Sequence, residues 1–315
     1  MIIFLQILIF VGSLLALAKL AEVIIKSLKE IAQILNWSTF IVAFLVLGAA
    51  TSTPELLVGV NASLDKTPLL SLGNLMGATI VLLTLITGLS ATFSGRIAID
   101  HLFAKEDLTI TNIVLVAPIL LLYDSVLSRF DSVIVIIIYG LYVYHVYSGR
   151  HKLGNPELNA NVNANLSKSI FIFFTGLVGI ALASKFAVDS AIIVGTYFSV
   201  PLLLLGVLVF SIGTNFPEIV VAFMAIRKRQ KNIITGNVLG SAATNSLIIA
   251  IVSLISPIQI YDMKLFYLSA AFYMLAVFTF SYFVKSKDDI TRREGFLLLS
   301  IYGFFVISEI INKLI

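Results

Sequence analysis

The sequence predicts an all-α polytopic membrane protein, with ten transmembrane helices arranged as two inverted five-helix repeats. Three observations lead to this prediction. Of the 315 residues, 59% are hydrophobic and only 12% are charged, with a mean hydropathy of +1.05, far outside the range of soluble proteins. The chain also carries one motif twice, and its Lys and Arg residues divide unevenly between alternate loops. The first observation indicates the membrane class, and the other two indicate how the helices are arranged.

Ten apolar stretches approach or exceed the roughly 20 residues that an α-helix needs to cross a bilayer. No basic segment precedes the first stretch and no small-residue cleavage site follows it, so we interpret it as a retained span rather than a signal peptide. The predicted spans cover residues 2–18, 38–63, 69–93, 108–124, 130–148, 168–184, 200–226, 233–256, 262–284 and 295–312.

The repeated motif divides the chain into two halves. Residues 51–55 read TSTPE, and TNFPE follows at 214–218, an offset of 163 residues. The same offset relates GNLMG at 73–77 to GNVLG at 236–240 without a gap. Each half therefore places one glutamate of a Pro-Glu pair within a long apolar run. Because ionisable groups are expensive inside the membrane, two glutamates at matching positions predict a functional site.

Lys and Arg orient the predicted helices, because cytoplasmic loops hold the excess of positive charge. With ten spans, sixteen basic residues fall in one set of alternate loops and five in the other. Both termini are therefore expected on the extracellular side. Since each half has five spans, an odd number, the second repeat enters the membrane from the opposite side to the first. Inverted repeats place a substrate site near the midplane, typically on interrupted helices.

The two repeats meet at the one long polar loop of the sequence, which contains five asparagines. We interpret it as a flexible cytoplasmic linker. The predicted units are a first repeat at 1–148, with motif segments 51–55 and 73–82, a linker at 149–167, and a second repeat at 168–315, with motif segments 214–218 and 236–245.

The proline of each motif indicates exposed ligand atoms. Within a span, proline removes a backbone donor and clashes with the carbonyl four residues earlier, which frees the carbonyls of Ala50 and Gly213. A broken helix is tolerated at membrane depth only where it is buried in protein or lines a cavity. Thr51 and Thr214 lie four residues before the glutamates and share their helical face. Each repeat thus offers carboxylate, hydroxyl and carbonyl oxygens, which suit Ca²⁺ or Na⁺ better than zinc or copper.

Other classes of function find little support. The chain has no cysteine, which excludes disulfides and thiolate metal sites. It has no phosphate loop, nucleophile elbow or HExxH motif, so no enzyme is predicted. The pI of 9.1 follows from the basic cytoplasmic loops, and no nucleic-acid partner is expected. Two charged pairs, Glu22 with Lys26 and Lys185 with Asp189, are interpreted as solvated pairs at a membrane interface.

The duplicated T-[SN]-x-P-E segments, each followed by G-N-x-x-G-[AS], resemble the two repeats of the calcium/cation antiporter superfamily, especially its sodium/calcium exchanger branch. The resemblance covers essentially the whole chain. It implies that the glutamate of each Pro-Glu pair coordinates Ca²⁺, that nearby Thr and Ser oxygens contact Na⁺ or Ca²⁺, and that an Asn or Asp completes the centre. Carried over by position, the implied ligands are Glu55, Glu218, Thr51, Ser52, Thr214, Ser241 and Asn245.

The sequence departs from this pattern at three positions. Ala78 replaces the serine of the first half, Asn215 stands in place of a serine in the second, and Leu82 replaces the Asn or Asp of the first half. A leucine side chain cannot coordinate a cation, so one corner of the centre is expected to be apolar unless Thr79 or Asn74 supplies an oxygen. Because Ca²⁺ usually takes six to eight oxygens, water would fill the vacancy or the affinity would be reduced.

The resemblance implies an antiporter that exports Ca²⁺ in exchange for Na⁺ across a cell membrane by alternating access, in which the first and sixth spans slide across a rigid core. Exchange for H⁺ is the near alternative. A cation channel and a transport-inactive scaffold or sensor are two further alternatives. The expected partners are inorganic cations and the lipid bilayer, no cofactor is expected, and a monomer is expected to suffice for transport.

Overall fold

The chain is nearly all helical over the residues that the computed structural model describes, namely 2–35, 37, 39–66, 68–98, 105–150, 165–197, 215–260, 263–287 and 289–314. Its α-helices are α1 (Ile2–Leu35), α2 (Thr39–Val42), α3 (Gly48–Thr51), α4 (Thr53–Leu64), α5 (Pro68–Ile80), α6 (Thr87–Ser94), α7 (Lys105–Leu121), α8 (Arg129–Arg150), α9 (Leu166–Tyr197), α10 (Phe216–Arg227), α11 (Lys231–Ile255), α12 (Met263–Lys287) and α13 (Arg292–Leu314). Two π-helical segments, Ala43–Leu47 and Val81–Ile86, join α2 to α3 and α5 to α6. A 3₁₀ turn covers Leu122–Asp124, and the strands are β1 (Arg96–Ala98), β2 (Val126–Leu127), β3 (Ile258–Gln259) and β4 (Asp289–Thr291).

Eight helical stretches in the described part are long and apolar enough to cross a membrane, so the chain is a multi-pass membrane protein. They correspond to eight of the ten predicted spans. The predicted fourth span is the shorter apolar helix Leu108–Asp124. The predicted seventh span, 200–226, lies within the described residues only from Asn215 onward.

The predicted span 2–18 is too short, because the apolar stretch runs from Ile3 to Leu35, whereas the predicted span 168–184 agrees with the apolar stretch Leu166–Ala183. The sequence stretches 2–18 and 168–184 belong to α1 and α9, which continue to Leu35 and Tyr197. Charged residues within α1 do not end its helix, because Lys and Glu are good helix formers and no Gly or Pro follows before Leu35. With 34 residues, α1 is about 50 Å long and exceeds a hydrocarbon core of roughly 30 Å.

The duplication is visible in the backbone of α4 and α10, which have 12 residues each. Ser52 (φ −81°, ψ 5°) precedes α4, and its counterpart Asn215 (φ −92°, ψ 11°) precedes α10. Both helices carry proline in their first turn, where its missing N–H has no helical acceptor to lose. A residue with positive φ follows each helix, Lys66 at 58° and Arg229 at 56°. All these pairs are separated by the same 163 positions.

The two longest helices, α1 and α9, pack against each other in antiparallel orientation. Glu30 accepts a hydrogen bond from Ser169 at 2.7 Å. Further along, a Cβ added to Gly176 would lie 2.8 Å from Ile24 Cγ1, so glycine permits the close approach. As the residue numbers fall along α1 they rise along α9. These helices occupy equivalent positions in the two halves.

Four short strands correct the all-α prediction. In two antiparallel sheets, β1 pairs with β4 and β2 pairs with β3. The sheets lie at opposite ends of α11, because Lys231 at its start donates to Arg96 O at 2.5 Å and Ser253 near its end donates to Leu127 O at 2.6 Å. Strands of two or three residues leave no readable alternation in the sequence, which explains why they were missed.

Helix α11 lies at the centre of the molecule and is buried along most of its length. The second span, residues 39–64, crosses it through glycines. A Cβ added to Gly48 would lie 2.6 Å from the carbonyl carbon of Gly240, and one added to Gly240 would clash with Phe44 O. The two backbones therefore touch directly, which brings polar side chains of both halves together at the crossing.

Candidate functional site

The first half contributes the break between α3 and α4. Thr51 ends α3, Thr53 begins α4 with Pro54 as its second residue, and Ser52 between the two helices leaves the helical conformation. The side chains of Thr51, Ser52 and Glu55 are all buried. Ser52 Oγ donates to Gly48 O at 3.0 Å, which fixes the hydroxyl at the break. The interruption therefore gathers two hydroxyl groups and a carboxylate within one helical turn.

A hydroxyl and amide cluster joins this break to α11. Thr51 Oγ1 lies 3.2 Å from Ser241 Oγ and 3.4 Å from Asn237 Oδ1. Ser241 Oγ also donates to Gly48 O at 3.3 Å. Thr51, Asn237 and Ser241 are buried, so the cluster is a polar site inside the protein rather than a wet surface. Its oxygen atoms come from both halves of the chain.

Two carboxylates complete the site. Glu55 and Glu218 are 2% and 1% exposed, and they are close enough to interact electrostatically. Among the described residues, neither oxygen of Glu55 has a hydrogen-bond partner. The same is true of Oε2 of Glu218. Burying charged groups without compensation is costly. Two buried carboxylates that interact electrostatically form a site that a cation, or protons, would stabilise.

Asn245 and Leu82, which occupy matching positions in the repeats, are both buried. Asn245 Nδ2 donates to Thr79 Oγ1 at 3.2 Å. Leu82 lies in the π-helical segment Val81–Ile86, whereas its counterpart lies in the regular helix α11. The first half therefore has a buried apolar side chain at the position that matches Asn245. Of the two possible substitutes, Thr79 is engaged with Asn245 and Asn74 is half-buried.

Six of the predicted ligands are buried, namely Thr51, Ser52, Glu55, Glu218, Ser241 and Asn245. A 3.2 Å contact joins Thr51 of the first half to Ser241 of the second. Thr214 and Gly213 lie outside the described residues. The carbonyl of Ala50 is not wholly freed, because the turn at Ser52 brings the Ser52 N–H to it. Asn237 was missed as a site residue. The Gly-Asn pair of each repeat was a signal for it, but the motif was interpreted through its glycines.

The predicted pairing of Glu22 with Lys26 is wrong. Glu22 on α1 instead forms an ion pair with Lys228, which directly follows α10. The partners are 206 positions apart, so sequence neighbours could not reveal the contact. Lys185 and Asp189 are both exposed on α9.

A comparison with sequence models of protein families identifies the family of this chain. The sequence model of the family described as sodium/calcium exchanger protein matches residues 5–148 and 168–310. The sodium/calcium exchanger MaX1 of Methanosarcina acetivorans is 25% identical over 346 aligned positions, covering 95% of this chain and 97% of that protein. The inner membrane protein YrbG of Escherichia coli is 29% identical over 231 residues, 70% of each chain.

The fold is also similar to a solved structure. The sodium-calcium exchanger NCX_Mj, soaked with 10 mM Na⁺ and zero Ca²⁺, superimposes with a TM-score of 0.83. The sequences are 23% identical, and the match covers 97% of this chain and 99% of the other. At 23% sequence identity, this similarity shows that the two proteins share a fold. The family model matches two separate segments of the chain, and these coincide with the two halves that the repeated motif defines.

Proposed function

This chain belongs to the sodium/calcium exchanger protein family, and on that premise we propose that it exports Ca²⁺ in exchange for Na⁺ by alternating access. Membership makes it a membrane transporter of inorganic cations rather than an enzyme. The observation that carries the proposal is the pair of buried carboxylates, Glu55 and Glu218, which lack hydrogen-bond partners among the described residues on three of their four oxygens. Na⁺ is chosen as counter-ion because the similar MaX1 is a sodium/calcium exchanger.

The proposed ligands surround these carboxylates. One Ca²⁺ binds between Glu55 and Glu218, with oxygens from Thr51, Ser241 and Asn245. Ser52 and the Ala50 carbonyl add oxygens at the helix break. By repeat symmetry, Thr214 and the Gly213 carbonyl are proposed to do the same in the second half. Na⁺ ions occupy the same oxygens when Ca²⁺ leaves, which makes binding of the two ions mutually exclusive. Exchange is obligatory because the empty site, with two uncompensated buried carboxylates, does not change sides.

The ten-span inverted arrangement, with both termini extracellular in a cell membrane, is part of the proposal. The antiparallel packing of α1 and α9 supports it, because equivalent helices of parallel repeats would run in the same direction. The strand pairing supports it as well, since β3 takes the place of β1 in the second half yet lies at the other end of α11. The interrupted helices would then meet near the midplane.

The repeat turns offer a direct test of this topology, because the chain has no cysteine of its own. Lys66 and Arg229 occupy equivalent turns with matching positive φ. In Lys66→Cys and Arg229→Cys variants in intact cells, a membrane-impermeant thiol reagent should label only position 66. Labelling of both from the same side would contradict the inverted repeats.

The proposed exchange is tested by Ca²⁺ uptake into proteoliposomes of the purified protein. An outward Na⁺ gradient should drive uptake, and vesicles with equal Na⁺ on both sides serve as the control. Uptake driven by a pH gradient instead would establish H⁺ as the counter-ion. That second candidate is favoured by the two carboxylates, each of which can take one proton. Absence of counter-ion-dependent flux under both gradients would contradict antiport altogether.

A further inference from the structure

The hydrogen bond between Asn245 and Thr79 has a direction, and we infer from it that Thr79 is a positioning residue for cation binding. It turns the amide of Asn245 so that the oxygen, rather than the NH₂ group, is presented to the ion. The inference rests on the proposed function in one respect, which is that the cation binds beside Glu55 and Glu218. It assigns to Thr79 a role other than that of a direct ligand.

The direction follows from the partners of the Thr79 hydroxyl. That group has one proton, and Thr79 Oγ1 lies 3.0 Å from Leu75 O, an acceptor that cannot donate. Thr79 also neighbours the Tyr273 hydroxyl, whose own proton goes to Leu115 O at 2.8 Å. The single Thr79 proton therefore goes to Leu75 O, a group other than Asn245. Towards Asn245 the hydroxyl can only accept.

The 3.2 Å contact must then be with the NH₂ group of Asn245. Because the oxygen and nitrogen of an amide lie on opposite branches, fixing the nitrogen at Thr79 directs Oδ1 away from it. An amide that turned over would present its N–H donors to a cation and repel it. Groups that orient a ligand in this way typically change metal affinity 10- to 100-fold when they are removed.

The duplication supports the same role. The counterpart of Thr79 in the second half is Ala242, and the counterpart of Asn245 in the first half is Leu82. The Thr79 hydroxyl is thus present where its partner is the amide of Asn245. In the pair that repeat symmetry relates to it, Ala242 has no hydroxyl and Leu82 has no amide. Both Thr79 and Ala242 are buried, so neither residue type is explained by exposure to solvent.

Three variants of the full chain test the inference by Ca²⁺ titration calorimetry. Thr79→Val preserves the side-chain shape, removes the acceptor, and should weaken Ca²⁺ binding about 10- to 100-fold. Thr79→Ser keeps the hydroxyl and should retain near-normal affinity. In the Asn245→Asp background, Thr79→Val should lower the Ca²⁺ affinity only slightly, because a carboxylate presents an oxygen in either orientation. The comparison is with Asn245→Asp alone, which completes a double-mutant cycle.

A purely structural role for Thr79 would give the same loss of affinity in both backgrounds, and that result would overturn the inference. So would normal affinity of Thr79→Val. A second readout does not depend on Ca²⁺ transport: the side-chain NH₂ protons of Asn245, identified by NMR from their loss in Asn245→Asp, should exchange faster with solvent in Thr79→Val. If they are unchanged, the inference fails. If the wild-type protein shows no Ca²⁺ flux while these protons respond as expected, only the proposed function fails.

Discussion

Glu55 and Glu218 supply the negative charge of the site, so their neutralisation is the most direct change at the scale of single residues. Glu55→Gln and Glu218→Gln should each abolish or severely reduce Ca²⁺ uptake into proteoliposomes. Thermal stability should be kept, because each substitution removes a costly buried charge and adds no bulk. Glu309→Gln is a matched control, since Glu309 accepts a bond from Ser269 on the neighbouring helix and lies outside the site. Near-normal uptake by either site variant would contradict the assignment.

Leu82 stands where the resemblance to the antiporters leads us to expect an Asn or Asp ligand. Leu82→Asn should raise the apparent Ca²⁺ affinity, because it adds an amide oxygen at the position that matches Asn245. The competing cost is about 1 to 3 kcal/mol if the new amide finds no partner. Titration calorimetry on folded variant protein measures the outcome. Lower affinity with an intact fold would show that position 82 does not face the ion.

The ligand types of the site could be predicted from sequence, because they belong to a motif whose spacing within one helix fixes which residues share a face. The contacts between helices could not. Thr51 meets Ser241 across 190 positions and Glu22 meets Lys228 across 206, and no local periodicity encodes such pairs. The orientation of the Asn245 amide could not be predicted from sequence either, because it depends on which group accepts the hydroxyl proton of Thr79.

At the scale of elements, the site depends on the crossing of the second span with α11. Gly240→Ala should destabilise the protein by about 1 to 3 kcal/mol, because its Cβ would clash with the backbone at Phe44 and force the helices apart. The shift should also weaken Ca²⁺ binding by separating Thr51 from Ser241. Gly303→Ala is the matched control, since nothing lies within 4 Å of the added Cβ. Thermal unfolding of both variants in detergent decides the matter, and equal melting temperatures would contradict the close crossing.

Sequence predicted the position of most spans to within a few residues, but it did not predict how helices depart from regular geometry. The predicted spans 2–18 and 168–184 stop just before Lys19 and Lys185, so the continuations of α1 and α9 beyond these charged residues were missed. The π-helical segments Ala43–Leu47 and Val81–Ile86 have ordinary apolar sequences. Their extra residue per turn is accommodated by packing against neighbouring helices, which is information that a single segment does not contain.

The whole molecule combines two halves of similar backbone but unequal chemistry. Repeat positions that carry Asn245 and Ser241 in one half carry Leu82 and Ala78 in the other, whereas Asn237 is matched by Asn74. The duplication could be recognised from sequence because its offset never changes across the motifs. Among the described residues, the hydroxyl and amide oxygens of the cluster come from the second span and α11, whose residues differ from their repeat counterparts at Ser241 and Asn245.

This asymmetry limits the charge of the centre and leads to a prediction for the complete transporter. With Asn245 neutral and Leu82 inert, the two carboxylates carry at most two negative charges. One Ca²⁺, two Na⁺ or two H⁺ each balance them, whereas a third Na⁺ would leave a net positive charge in a low-dielectric site, where it is far more costly than in water. We therefore expect electroneutral two-for-one exchange.

The measurement is Ca²⁺ flux into proteoliposomes whose membrane potential is clamped at different values by a K⁺ gradient and an ionophore. Flux through the wild-type protein should not change with voltage, since each half-cycle moves the same charge. Asn245→Asp adds a third carboxylate and is the matched variant in which a third Na⁺ can be balanced, so its flux should become voltage-dependent. Strong voltage dependence of the wild-type protein would contradict the two-for-one count, because it would require charge that Glu55 and Glu218 alone cannot compensate.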